Sequence, residues 1–226
     1  GTSIVRTQSG ARKACARLTA GGWKEGIIQK FVQGRHLSAT FIARRSGIAP
    51  LSINTQSMAL SESIEYMGGS CPYPLPAQDS LWDDLSRIVR ENSFEGLMSM
   101  DFVFDGEDMH FIEINPRMTT SCIGLSRVID PPLGNLLADA SKQVSEYSGY
   151  AQWVILPIRR TLQVPEDLLP KLFEFPSLVS PPFPLGPFYL KGSSKIMACA
   201  WGRDSLETPG KIDETKNWLA GLHLHC

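Results

Sequence analysis

Two apolar segments, Met100-Asp101-Phe102-Val103-Phe104 and Met109–Ile114, flank the turn sequence Asp105-Gly106-Glu107-Asp108. That pattern marks an antiparallel pair of strands. The second segment runs directly into Glu113-Ile114-Asn115-Pro116-Arg117. Glu113 and Asn115 are two residues apart and so share one face of their strand. If Asp101 lies opposite Glu113, two carboxylates and a carboxamide meet at one spot. Such a hard-oxygen site suits magnesium held against phosphate oxygens. The register decides the matter, because only directly opposed residues share a face at close range. Asp101 opposes Glu113 if the connection holds an odd number of residues, such as Gly106-Glu107-Asp108, or if a bulge intervenes. The other reading of Asp101 is a solvated strand acid.

Elsewhere the periodicities mix helix and strand. Ser9–Thr19 reads as a short helix stopped by Gly21-Gly22. Ile27–Val32 and Leu37–Ala43 read as two strands around Gly34, and Ile48–Thr55 as a third. Met58–Gln78 is rich in Gly, Pro and Ser and reads as a long loop of the kind used as a lid. Asp79 or Ser80 caps a helix from Leu81 to Glu91, whose Leu81, Trp82, Leu85, Ile88 and Val89 form one apolar stripe. Leu133, Leu136, Leu137, Ala140, Val144 and Tyr147 give a second helical stripe. The character changes after Gly149. Trp153–Ile158 is a strand, Phe175–Pro187 is proline-rich, Phe188–Leu190 and Lys195–Trp201 pair as strands, and Asp213–Leu222 is a final short helix.

With 226 residues, 42% of them hydrophobic, the chain can bury a sizeable core. The 22 basic and 23 acidic residues leave a net charge of -1, which argues against a nucleic-acid partner bound through a basic face. No apolar run approaches the roughly 20 residues of a membrane helix, so no membrane partner is expected. The five cysteines are scattered and without CxxC spacing, which fits a reduced, cytoplasmic setting. Gly1-Thr2-Ser3-Ile4-Val5-Arg6 opens like the middle of a phosphate-binding hairpin, as expected of an N-terminally truncated fragment.

Arg117 lies just past the oxygen cluster. Its guanidinium can grip a carboxylate or acyl-phosphate oxygen in two-pronged fashion and stabilise charge that develops during transfer. Its alternative role is a surface salt bridge.

Glu113-Ile114-Asn115-Pro116-Arg117, with Asp101 one strand earlier, resembles the metal-binding signature of the ATP-grasp ligases. Ile28-Gln29-Lys30-Phe31-Val32-Gln33-Gly34 resembles that family's adenine-binding hinge strand, and Gly1-Thr2-Ser3 the tail of its glycine-rich phosphate loop. The likeness covers roughly residues 1–145. It implies an α+β fold with an ATP-grasp-type antiparallel sheet and flanking helices. Residues 1–148 would form part of the nucleotide-binding domain, and residues 149–226 a small C-terminal α/β extension. It implies ATP as a substrate bound through Thr2, Ser3, Gln29, Lys30, Val32 and His36. His36 stands where the family commonly has an acidic ribose ligand. Asp101, Glu113 and Asn115 would hold Mg²⁺, with Mn²⁺ as an alternative, and Arg117 would be catalytic. The implied reaction joins a small-molecule carboxylate to an amine through an acyl phosphate, releasing ADP and phosphate, with room for a homodimer. The alternatives are a non-catalytic nucleotide-binding or scaffolding relative, and a kinase-like member with another acceptor. The run Glu113–Leu125 looks most like the tyramine–glutamate ligases and their relatives. Its Thr119, Thr120 and Ser121 either orient a substrate carboxylate or cap the following helix.

Other signals carry less. His223-Leu224-His225-Cys226 reads as a frayed tail. His110 falls on the strand face opposite Glu113 and reads as a packed histidine. Gly68-Gly69 says only "turn". Phe102, Phe104 and Phe111 read as core, and Cys122 lacks a base partner for nucleophilic chemistry.

Overall fold

The computed structural model describes residues 2–221 apart from 62, 77, 140, 159–161, 164–169, 171–173, 181–188 and 191–193. The elements in chain order are α1 (Gln8–Ala20), β1 (Arg35–Arg44), β2 (Gly47–Leu60), β3 (Ile64–Cys71), α2 (Gln78–Asn92), β4 (Gly96–Phe104) and β5 (Met109–Asn115). They continue with α3 (Ser121–Val128), β6 (Ile129–Asp130), α4 (Leu133–Ala138), β7 (Glu146–Tyr147) and β8 (Tyr150–Ile158). The last are β9 (Leu162–Gln163), β10 (Tyr189–Leu190), β11 (Ser194–Gly202) and α5 (Glu207–Gly221). Seven strands form one antiparallel sheet in the order β11-β8-β3-β2-β1-β4-β5. The fold is α+β, and the residues after 148 add β8 and β11 to this same sheet.

Strand β1 lies at the centre of the β2-β1-β4 trio and is buried on both faces. Its Leu37, Ala39, Phe41 and Ala43 meet Met98, Met100 and Phe102 of β4 and the α2 stripe. Leu81, Leu85 and Val89 of α2 are buried there, spaced four apart as a helix face requires. Each leucine buried in this way contributes about 1.5–3 kcal/mol. The helix starts at Gln78, so Asp79 sits in its first turn, where its charge suits the helix dipole. On the opposite face α3 and α4 cover Ile42, Leu51, Cys71, Ala151 and Trp153. A rung Leu37–Thr55–Ser70–Gln152 crosses β1, β2, β3 and β8. At its far end Gln152 Oε1 accepts a hydrogen bond from Thr208 of α5 at 3.1 Å. Helices α2 and α5 therefore share one face. Ile212 and Leu219 of α5 close a third cluster over Leu156, Ile196 and Ala198.

Several expectations are corrected. The segment read as a lid contains β3. Its Gly68 and Gly69 are strand residues, not a turn: Cβ atoms there would sit 2.2 Å from Trp153 O and Thr55 O respectively. Ile27–Val32 is not a strand. Residues 23–33 have no regular structure, no described strand pairs with them, and Ile27 and Ile28 are 86% exposed. The helix expected from Leu133 to Tyr147 stops at Ala138. The chain then turns back, and β7 pairs with β6, with Ser148 N–H donating to Val128 O. Tyr189–Leu190 pairs with Leu162–Gln163, while Ser194–Gly202 pairs with β8. Phe102 is core, but Phe111 is 42% exposed. The helix Gln8–Ala20 forms as expected, with Gly21 as its cap, and the last helix extends back to Glu207. Residues 222–226, with the expected helix end Leu222, and Gly1 lie outside the described residues, as does most of the proline-rich stretch. No described helix is long and apolar enough to cross a membrane.

Candidate functional site

Asp101 pairs directly with Glu113, but by the bulge and not by an odd connection. Phe104 pairs with Met109, so the turn holds the four residues 105–108. Unbroken, that register would set Asp101 opposite Ile112. A shift between Asp101 and Phe102 leaves Ile112 as the extra residue and returns Glu113 to the face of Asp101. The turn itself is held by Asp105, whose carboxylate accepts from the Glu107 and Asp108 N–H groups and from His110 Nε2. These bonds pull the Asp105 carboxyl well below its ordinary range. The bulge also overturns the reading of His110. Val103 pairs with His110, so His110 shares the face of Asp101 and Glu113, and its ring is bound to Asp105.

Two polar rungs then run across the sheet on the face that carries α3. One is Asn54–Ser38–Asp101–Glu113, the other Ser52–Thr40–Ser99–Asn115. The Asn115 Nδ2 group donates to Asp101 at 3.1 Å and Glu113 at 3.4 Å. Gln56 Nε2 donates to the other Asp101 oxygen at 3.0 Å. Arg117 Nη2 reaches Asn115 Oδ1 at 3.4 Å, and Nη1 donates to the Met118 carbonyl. The structure thus gathers Asp101, Glu113, Asn115 and Arg117, and adds Gln56. Burial, followed by the charge of Glu113, pushes the Asp101 carboxyl up to about 6 against the opposing pull of its two amide donors and Arg117. At the buried end of the first rung Asn54 gives its amide to Ser38 and Thr40 and leaves Oδ1 buried without a partner.

Thr119, Thr120 and Ser121 do not cap α3 through their side chains. Thr120 occupies the cap position without a side-chain cap bond. Thr119 Oγ1 meets Ser99 at 2.7 Å and Ser121 at 2.9 Å, and Ser121 meets Thr40 at 3.0 Å. These hydroxyls pin the start of α3 to the polar rungs. Thr120 donates instead to the Tyr66 hydroxyl of β3 at 3.1 Å. Tyr66 had no motif around it, and its partners lie 54 and 87 residues away. Burial raises the Cys122 thiol, in keeping with its lack of a base partner.

The expected nucleotide residues are spread more widely. Thr2 and Ser3 lie against the start of β3: Ile64 N–H donates to Thr2 O, and Ser3 bridges to Ser63. Gln29 and Lys30 are exposed and Val32 is half-buried, all on the irregular segment. His36 is half-buried on β1, opposite Val103 and on the Asp101 face. Burial lowers its imidazole below the ordinary value. Between these groups, Gly34 packs its backbone on β4, where a Cβ would sit 2.4 Å from Phe104 O.

Comparison with known proteins adds to this geometry. A family model described as ATP-grasp domain matches residues 1–121. The tyramine–L-glutamate ligase of Methanocaldococcus jannaschii is 30% identical over 112 residues, covering 49% of this chain and 34% of that enzyme. This chain therefore spans about a third of the length of that curated relative. L-amino acid ligase from Bacillus licheniformis superposes with a TM-score of 0.66 at 14% identity, over 96% of this chain and 60% of the other. The biotin carboxylase domain of Hydrogenobacter thermophilus 2-oxoglutarate carboxylase, in complex with MgADP, ADP and bicarbonate, gives 0.60 at 13% identity, over 94% and 51%. These two structural likenesses concern the fold. The family match spans more than half of the chain and includes the whole Asp101–Arg117 cluster, and the chain belongs to the ATP-grasp domain family.

Proposed function

We propose that the protein is an ATP-dependent ligase that joins a small-molecule carboxylate, of amino-acid type, to an amine. The observation that carries this reading is the convergence of Asp101, Glu113, Asn115 and Arg117 across the β4–β5 bulge.

The donor set fits a hard divalent ion. Burial and then the charge of Glu113 make Asp101 ionise reluctantly, and a cation between the two carboxylates would offset that penalty. The Asn115 amide nitrogen now bridges the two carboxylates. Half a turn of that amide would present its oxygen as a third ligand. Asp101, Glu113 and Asn115 would thus hold Mg²⁺ or Mn²⁺, which when bound would neutralise phosphate charge during transfer. Thr2 and Ser3 are assigned to the phosphates, Gln29, Lys30 and Val32 to the adenine, and His36 to the ribose. A substrate carboxylate oxygen attacks the γ-phosphorus and ADP leaves. The amine nitrogen then attacks the acyl carbon, phosphate departs with the C–O bond electrons, and the amine sheds a proton. Arg117 is exposed, and its guanidinium edge is suited to hold the reacting oxygens as charge builds on them. Cys71, Cys122 and Cys199 are buried free thiols, which supports a reducing, cytoplasmic setting.

The test is ADP release by the full-length protein with Mg²⁺, scanned over amino acids and amines and starting from L-glutamate and tyramine. Metal-dependent release that requires both substrates, with a hydroxamate formed in hydroxylamine, is the expected result. ATP binding without turnover for any pair would overturn it in favour of a scaffolding relative. Phosphorylation without hydroxamate would indicate a kinase.

A further inference from the structure

Tyr66 makes an unusual set of contacts. Its hydroxyl oxygen accepts from Trp153 Nε1 at 2.5 Å and from Thr120 Oγ1 at 3.1 Å. A phenol oxygen has one proton to give and a limited acceptor capacity. With two donors already on the oxygen, the proton must point away from both. Among the described residues no group accepts it.

The arrangement is rigid. The Trp153 ring is wedged between β3 and α3, where a Cβ on Gly69 or Gly124 would approach ring atoms to 2.8 and 2.6 Å. Thr120 is fixed between Thr119 and Ser121, both bound into the polar rungs. Tyr66 also lies near the acidic cluster, since it pairs with Met58 of β2, two residues from Gln56, whose amide donates to Asp101. Thr120 ends the loop that begins just after Asn115 and contains Arg117. Close by in sequence, residues 63 and 64 contact Ser3 and Thr2.

We infer that Tyr66 is a positioning residue whose hydroxyl proton hydrogen-bonds an anionic oxygen of the carboxylate substrate. This rests on the ligase reading above. Trp153 and Thr120 hold the phenol as a one-way donor that cannot turn its proton back into the protein. Such a group recognises an oxyanion and disfavours a substrate that offers only N–H there. No covalent step is assigned to it.

The experiment uses the full-length protein, saturating Mg²⁺ and the amino acid giving the highest ADP release in the screen. Tyr66→Phe should raise KM for that amino acid by about 10- to 100-fold, the effect of losing a hydrogen bond to a charged group. KM for ATP should stay within about twofold, because the lost bond is to the other substrate. Thr120→Val removes a donor to the phenol but leaves its proton, so its effect on the amino-acid KM should be smaller. An unchanged amino-acid KM in Tyr66→Phe would overturn the inference. So would equal rises for ATP and amino acid, or a larger effect from Thr120→Val. If Tyr66→Phe fails to fold, 3-fluorotyrosine at position 66 keeps the packing and makes the donor more acidic. A shift in amino-acid KM alone is then expected, and no shift refutes the role. Active wild type with an inert Tyr66→Phe phenotype refutes only this inference. Absence of ADP release with every amino acid refutes the ligase reading itself.

Discussion

Asp101→Asn should break the function and stabilise the metal-free fold at the same time. The Asp101 carboxyl rises from an ordinary 3.8 to about 6 in the folded chain. Below about pH 4 it is protonated in both folded and unfolded states and contributes nothing to the difference. Between there and about pH 6 the unfolded chain gives up its proton first, so stability falls as pH rises. Above that range the penalty is complete. At 1.36 kcal/mol per pH unit the gap corresponds to about 3 kcal/mol. An asparagine removes the charge but has one acceptor oxygen for the two amide donors, Gln56 at 3.0 Å and Asn115 at 3.1 Å. One of these bonds is lost, at about 1 kcal/mol. The variant should therefore be less stable than wild type by about 0.5 kcal/mol at pH 4 and more stable by about 2 kcal/mol at pH 8. The curves cross near roughly pH 4.5. Urea unfolding of both full-length proteins in EDTA, from pH 4 to 8, measures the difference directly. A difference that stays constant with pH would refute the electrostatic argument. Adding Mg²⁺ and ADP at pH 8 should stabilise wild type and leave the variant nearly unmoved.

Glu113→Gln should lower Mg²⁺-dependent ADP release by about 100-fold or more with an unchanged circular dichroism spectrum; near-normal turnover would remove Glu113 from the metal set. Arg117→Ala should lower kcat by about 100- to 1000-fold while KM for ATP changes little. Equal losses in both constants would count against its place at the reacting centre. Gly124→Ala would set a Cβ 2.6 Å from two Trp153 ring atoms. Overpacking there should lower stability by about 1–3 kcal/mol in urea unfolding. An unshifted unfolding midpoint would show that Trp153 is not held as tightly as the geometry requires.

The sequence by itself determined the parts that depend on short-range pattern. The α2 stripe, the central strand Leu37–Ala43 and the hairpin partners β4 and β5 could be read because neighbouring residues fix their periodicity. Glu113, Asn115 and Arg117 were legible because one strand end carries all three. Only the tertiary structure decided which residues meet them. A four-residue turn misaligns Asp101, and the Ile112 bulge realigns it, which no count of spacing settles. Strand β3 reads as a loop because Gly68 and Gly69 have poor strand propensity. It is a strand because β2 and β8 pair with it on both sides, and they approach so closely at Gly68 and Gly69 that no Cβ fits there. The stripe from Leu133 onward has helical spacing, yet pairing of β6 with β7 draws the chain out of the helix. Ile27–Val32 has strand composition, but the described sheet offers it no ladder partner. Tyr66 was invisible for the same reason: its position is fixed by Thr120 and Trp153, and contacts across so many residues exist only once the sheet has closed.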